Sequence, residues 1–305
     1  MTLLGLVQAM SARLEEAGVS FGHGTTNAFD EAAWLVLWKL GLPLDDLDGV
    51  AELAVSAADR AAVEALVDER IRTRKPAAYL TGEAWLQGVP FFVDERVIVP
   101  RSLIAEPLAD GSIDAWLSDR THRVLDLCTG NGSLAVLAAL AWPDVTVDAT
   151  DLSADALAVA AKNVERHGLE DRITLRQGDG LAAADGPYDL ILCNPPYVNQ
   201  TSMDALPPEY RAEPALALAG GADGMDFVRA LLRDAPAHLS PHGVLVLEIG
   251  HERAHFEAAF PTLEAVWLPT SAGDDQVLLL MPSSGVGRLD VNSPRHSHGS
   301  DPMSL

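Results

Sequence analysis

Val124-Leu125-Asp126-Leu127-Cys128-Thr129-Gly130-Asn131-Gly132-Ser133-Leu134-Ala135 decides the fold. Its first four residues read as a short strand, and Ser133 opens a helical pattern that runs to Ala141. Glycine at such a turn lets the backbone come close to a ligand, and the helix N-terminus favours an anionic group there. Gly130-x-Gly132-x-x-Ala135 also fits the fingerprint of dinucleotide sites, the plain alternative being a tight strand-to-helix turn without a ligand. Outward from this stretch, strand signals recur over residues 145–150, 173–176, 188–193, 243–249, 265–268 and 276–281. Helical patterns separate most of them, over 133–141, 154–166, 226–238 and 252–259. The alternation predicts an α/β domain over residues 101–281, a mostly parallel seven-stranded sheet with helices on both faces.

Upstream the period changes. Leu3, Leu6, Val7, Met10 and Leu14 repeat at helical spacing across residues 2–17. Asn27 is placed to cap a helix over 28–40 that Gly41 and Pro43 stop, and Val63, Leu66, Val67 and Ile71 share one face of 59–73. Residues 1–83 therefore predict a small helical bundle. Residues 84–100 read as a β-hairpin linker, with strands 85–93 and 96–99 around an Asp94-Glu95 turn. Residues 282–305, rich in Ser, Gly, Pro and His without a period, read as a disordered tail. His296 and His298 are too few for a metal tract, and no metal-ligand set is read.

Two further features carry chemistry. Asp151 closes the strand after the glycine turn, 19 residues beyond Gly132, where a carboxylate can accept from ribose hydroxyls. Asp151, Ser153 or Asp155 can equally cap the next helix. Asn194-Pro195-Pro196-Tyr197 follows the strand over 188–193. Each proline fixes its φ and lacks an N–H, so the turn presents carbonyl oxygens without competing donors. The Asn194 side-chain oxygen and the Pro195 carbonyl can both accept from one planar NH₂ group, with Tyr197 packed on its flat face. A nicotinamide enzyme needs the first two features but not this one.

Together Asp126 to Gly132, Asp151, Asp179 and Asn194 to Tyr197 resemble the S-adenosylmethionine-dependent class I methyltransferases, which have a Rossmann-like fold. More narrowly, residues 1–281 resemble the protein-(glutamine-N(5)) methyltransferases, the HemK-like family, with a helical substrate-recognition domain, a hairpin linker and a catalytic domain carrying Asn-Pro-Pro-Tyr. One branch of that family modifies the Gly-Gly-Gln glutamine of peptide-chain release factors, and another a glutamine of large-subunit ribosomal protein three. Gly22-His23-Gly24-Thr25-Thr26-Asn27, Pro100-Arg101-Ser102, Cys128 and Leu206-Pro207-Pro208-Glu209-Tyr210-Arg211-Ala212-Glu213-Pro214 are similar to the second branch. The resemblance implies that Cys128, Thr129, Gly130, Asn131 and Gly132, behind Asp126, wrap the methionine part of S-adenosylmethionine. It implies that Asp151 holds the ribose and that Asp179 lies by the adenine amine. Asn194, Pro195, Pro196 and Tyr197 would hold the substrate amide, Asn194 also bordering the cofactor.

Composition bounds the partners. Lys and Arg number 21 against 44 Asp and Glu, a net charge of −23, with −6 over residues 1–88 and −17 over 89–281. Phosphate backbones are repelled, and no basic stripe offsets this, so nucleic acid is not an expected partner. That sets an adenine-amine methyltransferase behind a basic ribosomal protein or a release factor as acceptor. No apolar run reaches the length of a membrane span, the longest being residues 134–142. With two cysteines and no leader pattern, a cytoplasmic protein is expected.

Overall fold

The computed structural model describes residues 1–281, so the tail expected over 282–305 lies outside the described residues. Helices α1 (Leu3–Glu16), α2 (Ala28–Leu40), α3 (Leu47–Val50), α4 (Ala57–Thr73) and α5 (Ala77–Thr81) form the N-terminal bundle. Local chemistry sets their ends. Thr2, Asn27 and Ser56 accept from backbone N–H groups of the first turns, and Gly41 ends α2 in the left-handed conformation. The bundle core is Leu3, Leu6, Val7, Leu14, Leu35, Val63 and Val67, all at most 1 % exposed. It contains the apolar faces expected from the spacing.

A two-stranded hairpin follows, β1 (Glu83–Leu86) and β2 (Val89–Phe92). The expected hairpin is corrected here. The turn is Gln87-Gly88, with φ of 50° and 74°, and not Asp94-Glu95. Positive φ at both central residues matches the right-handed twist of the flanking strands. The Asp94 carboxylate instead accepts from the backbone and guanidinium of Arg96 and bends the chain away. Val97 and Val99 then bury in a seam with Ala84, Val93, Ala156 and Val159, so residues 96–99 never pair with the hairpin.

The larger, seven-stranded sheet has the order β5-β4-β3-β6-β7-β9-β8. Its strands are β3 (Arg123–Leu127), β4 (Thr146–Asp151), β5 (Ile173–Gln177), β6 (Tyr188–Cys193), β7 (Leu239–Glu248), β8 (Val266–Thr270) and β9 (Gly273–Leu280). All neighbours are parallel except the two pairs that involve β9. Helices α6 (Ala105–Ala109), α7 (Ser133–Ala141), α8 (Ala154–Arg166), α9 (Gln200–Ala205), α10 (Asp226–Asp234) and α11 (Arg253–Ala259) complete the chain. Leu190 and Leu192 face the core shared with α7, while Ile191 and Cys193 face the core shared with α10 and α11. The strand period of two thus splits β6 between two apolar layers. The helix expected over 226–238 ends at Asp234, because Pro236 in the following 3₁₀ turn has no N–H to continue it. No helix among the described residues is long and apolar enough to cross a membrane.

The chain runs β3-β4-β5 in one direction and returns to β6-β7 in the other, so the order reverses between β3 and β6. A crevice opens there outside the carboxyl ends of the strands.

The hairpin turn is testable. A Cβ on Gly88 meets nothing within 4 Å, so only backbone strain opposes it. Gly88→Ala is expected to lower stability by about 1 kcal/mol and Gln87→Gly to leave it equal or raised. Urea unfolding of the two variants measures both.

Candidate active site

Leu127 pairs with Cys193 across β3 and β6, so the residues that follow each strand emerge side by side. They open into a cleft with about 1090 Å³ of empty space, its mouth included. Asp126, Cys128, Thr129, Gly130, Asn131, Asp151, Asp179, Asn194 and Pro196 line it, from three successive strand ends and the turn after β6. The structure therefore brings together nearly all the residues singled out in the sequence. Gly132, Pro195 and Tyr197 are not among the lining residues.

The turn after β3 is held from below. Asp126 is 1 % exposed and accepts from Thr129 Oγ1 and from the Ala135 N–H at 2.5 and 2.9 Å. Burial drives its carboxyl up to about 7, against those two hydrogen bonds. Cys128 and Gly130 both have left-handed φ, 62° and 56°. A Cβ on Gly132 would stand 3.2 Å from the Ala160 Cβ, so this glycine is what lets α7 and α8 approach. Asn163 on the buried face of α8 ties the turn to the hairpin. It donates to the Asn131 and Phe92 carbonyls and accepts from the Phe92 N–H.

Asp151 settles the capping question. Ser153 caps α8, while the Asp151 carboxylate accepts from the Gly130 and Ser153 N–H groups at 2.9 and 2.8 Å. Its carboxyl is raised by burial against these hydrogen bonds. Two buried polar atoms on the cleft wall have no partner, Asn131 Nδ2 and Thr150 Oγ1. Unpaired buried donors beside a shared carboxylate are costly unless a polar ligand meets them.

On the other side, the Asn194 side chain reaches the cleft and enters no hydrogen bond with the described residues. Behind the turn, Tyr197 and Glu248 are engaged. Tyr197 donates from its hydroxyl to Glu248 Oε1 at 3.2 Å, and its ring packs on Gly250, where a Cβ would come within 2.5 Å. Burial and the Glu248 carboxylate hold the Tyr197 phenol protonated far above its usual range. Glu248, raised by burial, also accepts from Ser102 Oγ at 2.6 Å and from the Leu103 N–H. Tyr197 thus anchors the Asn-Pro-Pro turn from behind. Cys128 and Cys193 are free thiols in contact, and burial and Cys128 push the Cys193 thiol up.

The segment from Leu206 to Pro214 joins the cleft to the helical bundle. Glu213, 4 % exposed, accepts from the Val99 N–H at 2.9 Å and from Arg101 Nη1 and Nη2 at 2.6 and 2.8 Å. His23 Nε2 lies 3.5 Å from Glu213 Oε2, and its ring packs tilted against Tyr210, with centroids 4.3 Å apart. Neither ring nitrogen has a hydrogen-bond partner, so the contact is an ion pair only when the ring is protonated. Burial alone would raise the Glu213 carboxyl, but His23 and Arg101 outweigh it and hold it at about 2. Glu209 is fully buried against Arg70 and Arg74 and accepts from the Ser20 N–H, while Arg70 also donates to Glu31 at 2.8 Å. Sequence reasoning missed this network as well as Asn163 and Glu248. One signal was available: Arg70 stands seven residues after Val63 and Glu31 three after Ala28, both on apolar helix faces.

Comparison with known proteins agrees with the geometry. A sequence family described as the methyltransferase small domain matches residues 113–206. A ribosomal protein uL3 glutamine methyltransferase of Bordetella pertussis is 59 % identical over 92 % of this chain and 94 % of its own. Enzymes of the same name from Burkholderia pseudomallei and Neisseria meningitidis are 52 % and 48 % identical, each over 92 % of this chain and 95 % and 92 % of their own. Among solved structures, the hMettl16 catalytic domain in complex with MAT2A 3′UTR hairpin 6 superposes with a TM-score of 0.52. It is 15 % identical and covers 74 % of this chain and 82 % of its own. That likeness shows the class I methyltransferase fold.

Glu213 gives a pH-dependent prediction. Its folded value lies below the ordinary 4.5, so its stabilisation is present above about pH 4.5 and is lost as pH falls toward 2. Glu213→Gln should cost about 3 kcal/mol at neutral pH, because a buried partner is removed. It should also flatten the acid limb of stability. Urea unfolding across that pH range measures both effects.

Proposed function

The chain belongs to the family of ribosomal protein uL3 glutamine methyltransferases, and from that premise we propose that its cleft transfers a methyl group from S-adenosylmethionine to the side-chain amide nitrogen of a glutamine in that large-subunit protein. The observation that carries this reading is the Asn194 side chain, an amide on the cleft wall with its hydrogen-bonding capacity unused by the protein.

The residues present fit the cofactor. Cys128 to Gly132 supply a turn with left-handed backbone and the orphaned Asn131 donor. Asp151 keeps lone pairs for the ribose hydroxyls while Gly130 and Ser153 orient it. Asp179, exposed on the cleft wall after the next strand, is the residue that would meet the adenine amine. S-adenosylmethionine supplies a methyl carbon made electrophilic by its sulfonium.

An amide nitrogen is a weak nucleophile, because its lone pair is delocalised into the carbonyl. The Asn194 Oδ1 and the Pro195 carbonyl accept the two amide hydrogens and so align the nitrogen with the methyl group. The same acceptors favour the positive charge that develops as the nitrogen pyramidalises. The Tyr197 anchor on Glu248 fixes the turn in that position. Water takes the proton once nitrogen is methylated, so no strong base is required. Residues 1–83 serve as the substrate-recognition domain and residues 84–100 as the linker. A release-factor glutamine and an adenine amine are the acceptors set behind this one, the latter by the net charge of −23.

Methyl transfer from labelled S-adenosylmethionine to purified uL3, a release factor and naked nucleic acid tests the reading side by side. Label on uL3 that is lost when its acceptor glutamine is changed supports it, and label on either other acceptor alone overturns the substrate. Asn194→Ala should lower kcat about a thousandfold and leave cofactor affinity within a few-fold. Asp151→Ala should weaken cofactor binding about a hundredfold by calorimetry. Unchanged affinity would reduce Asp151 to an organiser of its turn.

A further inference from the structure

A second groove lies between the helical bundle and the hairpin. Phe29 and Trp34 of α2 and Trp85 of β1 line it, together with Leu44, Asp30 and Asp45. Phe29 and Trp85 are 38 % and 45 % exposed. The Trp34 indole N–H is buried without a partner. The Asp45 carboxylate enters no ion pair or hydrogen bond, and Asp30 meets only the Asn27 side chain. Among the described residues no lysine or arginine lines the groove. Exposed aromatic faces beside uncompensated carboxylates are the chemistry that holds arginine and lysine, the rings taking the stems and cations and the carboxylates the charge.

The groove also adjoins the segment that leads to the cleft. A Cβ on Gly24 would lie 3.5 Å from the Trp34 ring, and one on Gly22 would lie 2.7 Å from the Tyr210 hydroxyl. Two residues, ~7 Å of backbone at most, therefore separate the groove wall from the Leu206 to Pro214 segment, whose Pro214 lines the cleft.

Resting on the protein-acceptor reading above, we propose that this groove docks a basic, arginine- or lysine-bearing segment of the protein substrate while its glutamine enters the cleft. The charge selects this occupant. A second copy of the chain carries the same −23, and nucleic acid carries the same sign.

Trp85→Ala and Asp45→Lys test it on the full chain. Dissociation constants come from anisotropy of labelled uL3, steady-state constants from methyl transfer, and cofactor affinity from calorimetry as the control for folding. Both variants are expected to raise Kd and KM for uL3 about tenfold, with kcat and cofactor affinity kept. The Asp45→Lys effect should shrink as salt is raised. If Kd and KM stay at the wild-type values, the groove does not hold the substrate, even where methylation of uL3 stands. If wild type methylates no uL3 yet its Kd responds to both variants, the docking surface stands and the catalytic reading fails. A dimer in wild type that Trp85→Ala converts to monomer, seen by sedimentation, assigns the groove to a second copy and overturns the proposal.

Discussion

The Glu213 carboxylate is the interaction on which the rest of the structure depends. It is buried, and a buried charge is tolerated only when it is paired and hydrogen-bonded. Its partners come from three parts of the chain: the Val99 N–H at the hairpin exit, Arg101 beside the cleft, and His23 from the helical bundle. One carboxylate thus fixes where the bundle stands relative to the cleft. Glu209, four residues earlier, does the same for Arg70 and Arg74. Apolar packing alone would be less selective, since one apolar surface slides on another at little cost. Directional charge pairs give the two parts a single register.

The reaction geometry has a separate origin, in the sheet. Parallel pairing of β3 with β6 sets Leu127 beside Cys193, and this alone brings the glycine turn and the Asn-Pro-Pro turn to opposite sides of one crevice. Each turn is then locked from behind by buried polar groups, Asp126 and Asn163 for one and Glu248 through Tyr197 for the other. Stability and placement are supplied by those hidden groups. The atoms left unengaged, the Asn194 amide and the Asn131 and Thr150 polar atoms, are on the cleft side. A site that satisfied its own hydrogen bonds would have nothing left for a substrate.

The acidity of the chain divides into two kinds. Inside, some carboxylates are matched to arginines, as with Glu31 and Arg70 or Asp148 and Arg123, and others to neutral donors, as with Asp126 and Glu248. Outside, many face water without a cation, Asp45 and Asp48 of the bundle among them. Only the second kind produces a long-range field, and that field attracts a basic protein rather than a phosphate backbone. Net charge by itself does not separate the two, which is why a count of acids is an argument about partners and not about architecture.

Much was legible in the sequence because it is local. The strand and helix periods, the Asn27 and Ser153 caps, the left-handed glycines of the turn after β3 and the rigid Asn194-Pro195-Pro196-Tyr197 tetrapeptide each express physics that acts over a few residues. From these came the mostly parallel seven-stranded sheet, the helical bundle and most of the cleft lining. The hairpin turn was misplaced because Asp94-Glu95 and Gln87-Gly88 are both plausible turns locally. The choice between them was made by the burial of Val97 and Val99 against α8 and by the Glu213 carboxylate, far along the chain. Likewise Asn163, Glu209 and Glu248 look like surface residues in a linear reading, and the position of Arg70 on an apolar face does not name its partner, because a polar side chain reveals its partner only after folding. The sequence by itself determined the elements and the chemistry of the two turns. Tertiary structure decided which buried charges hold those turns together, since pairing at separations of more than a hundred residues leaves no local period to read.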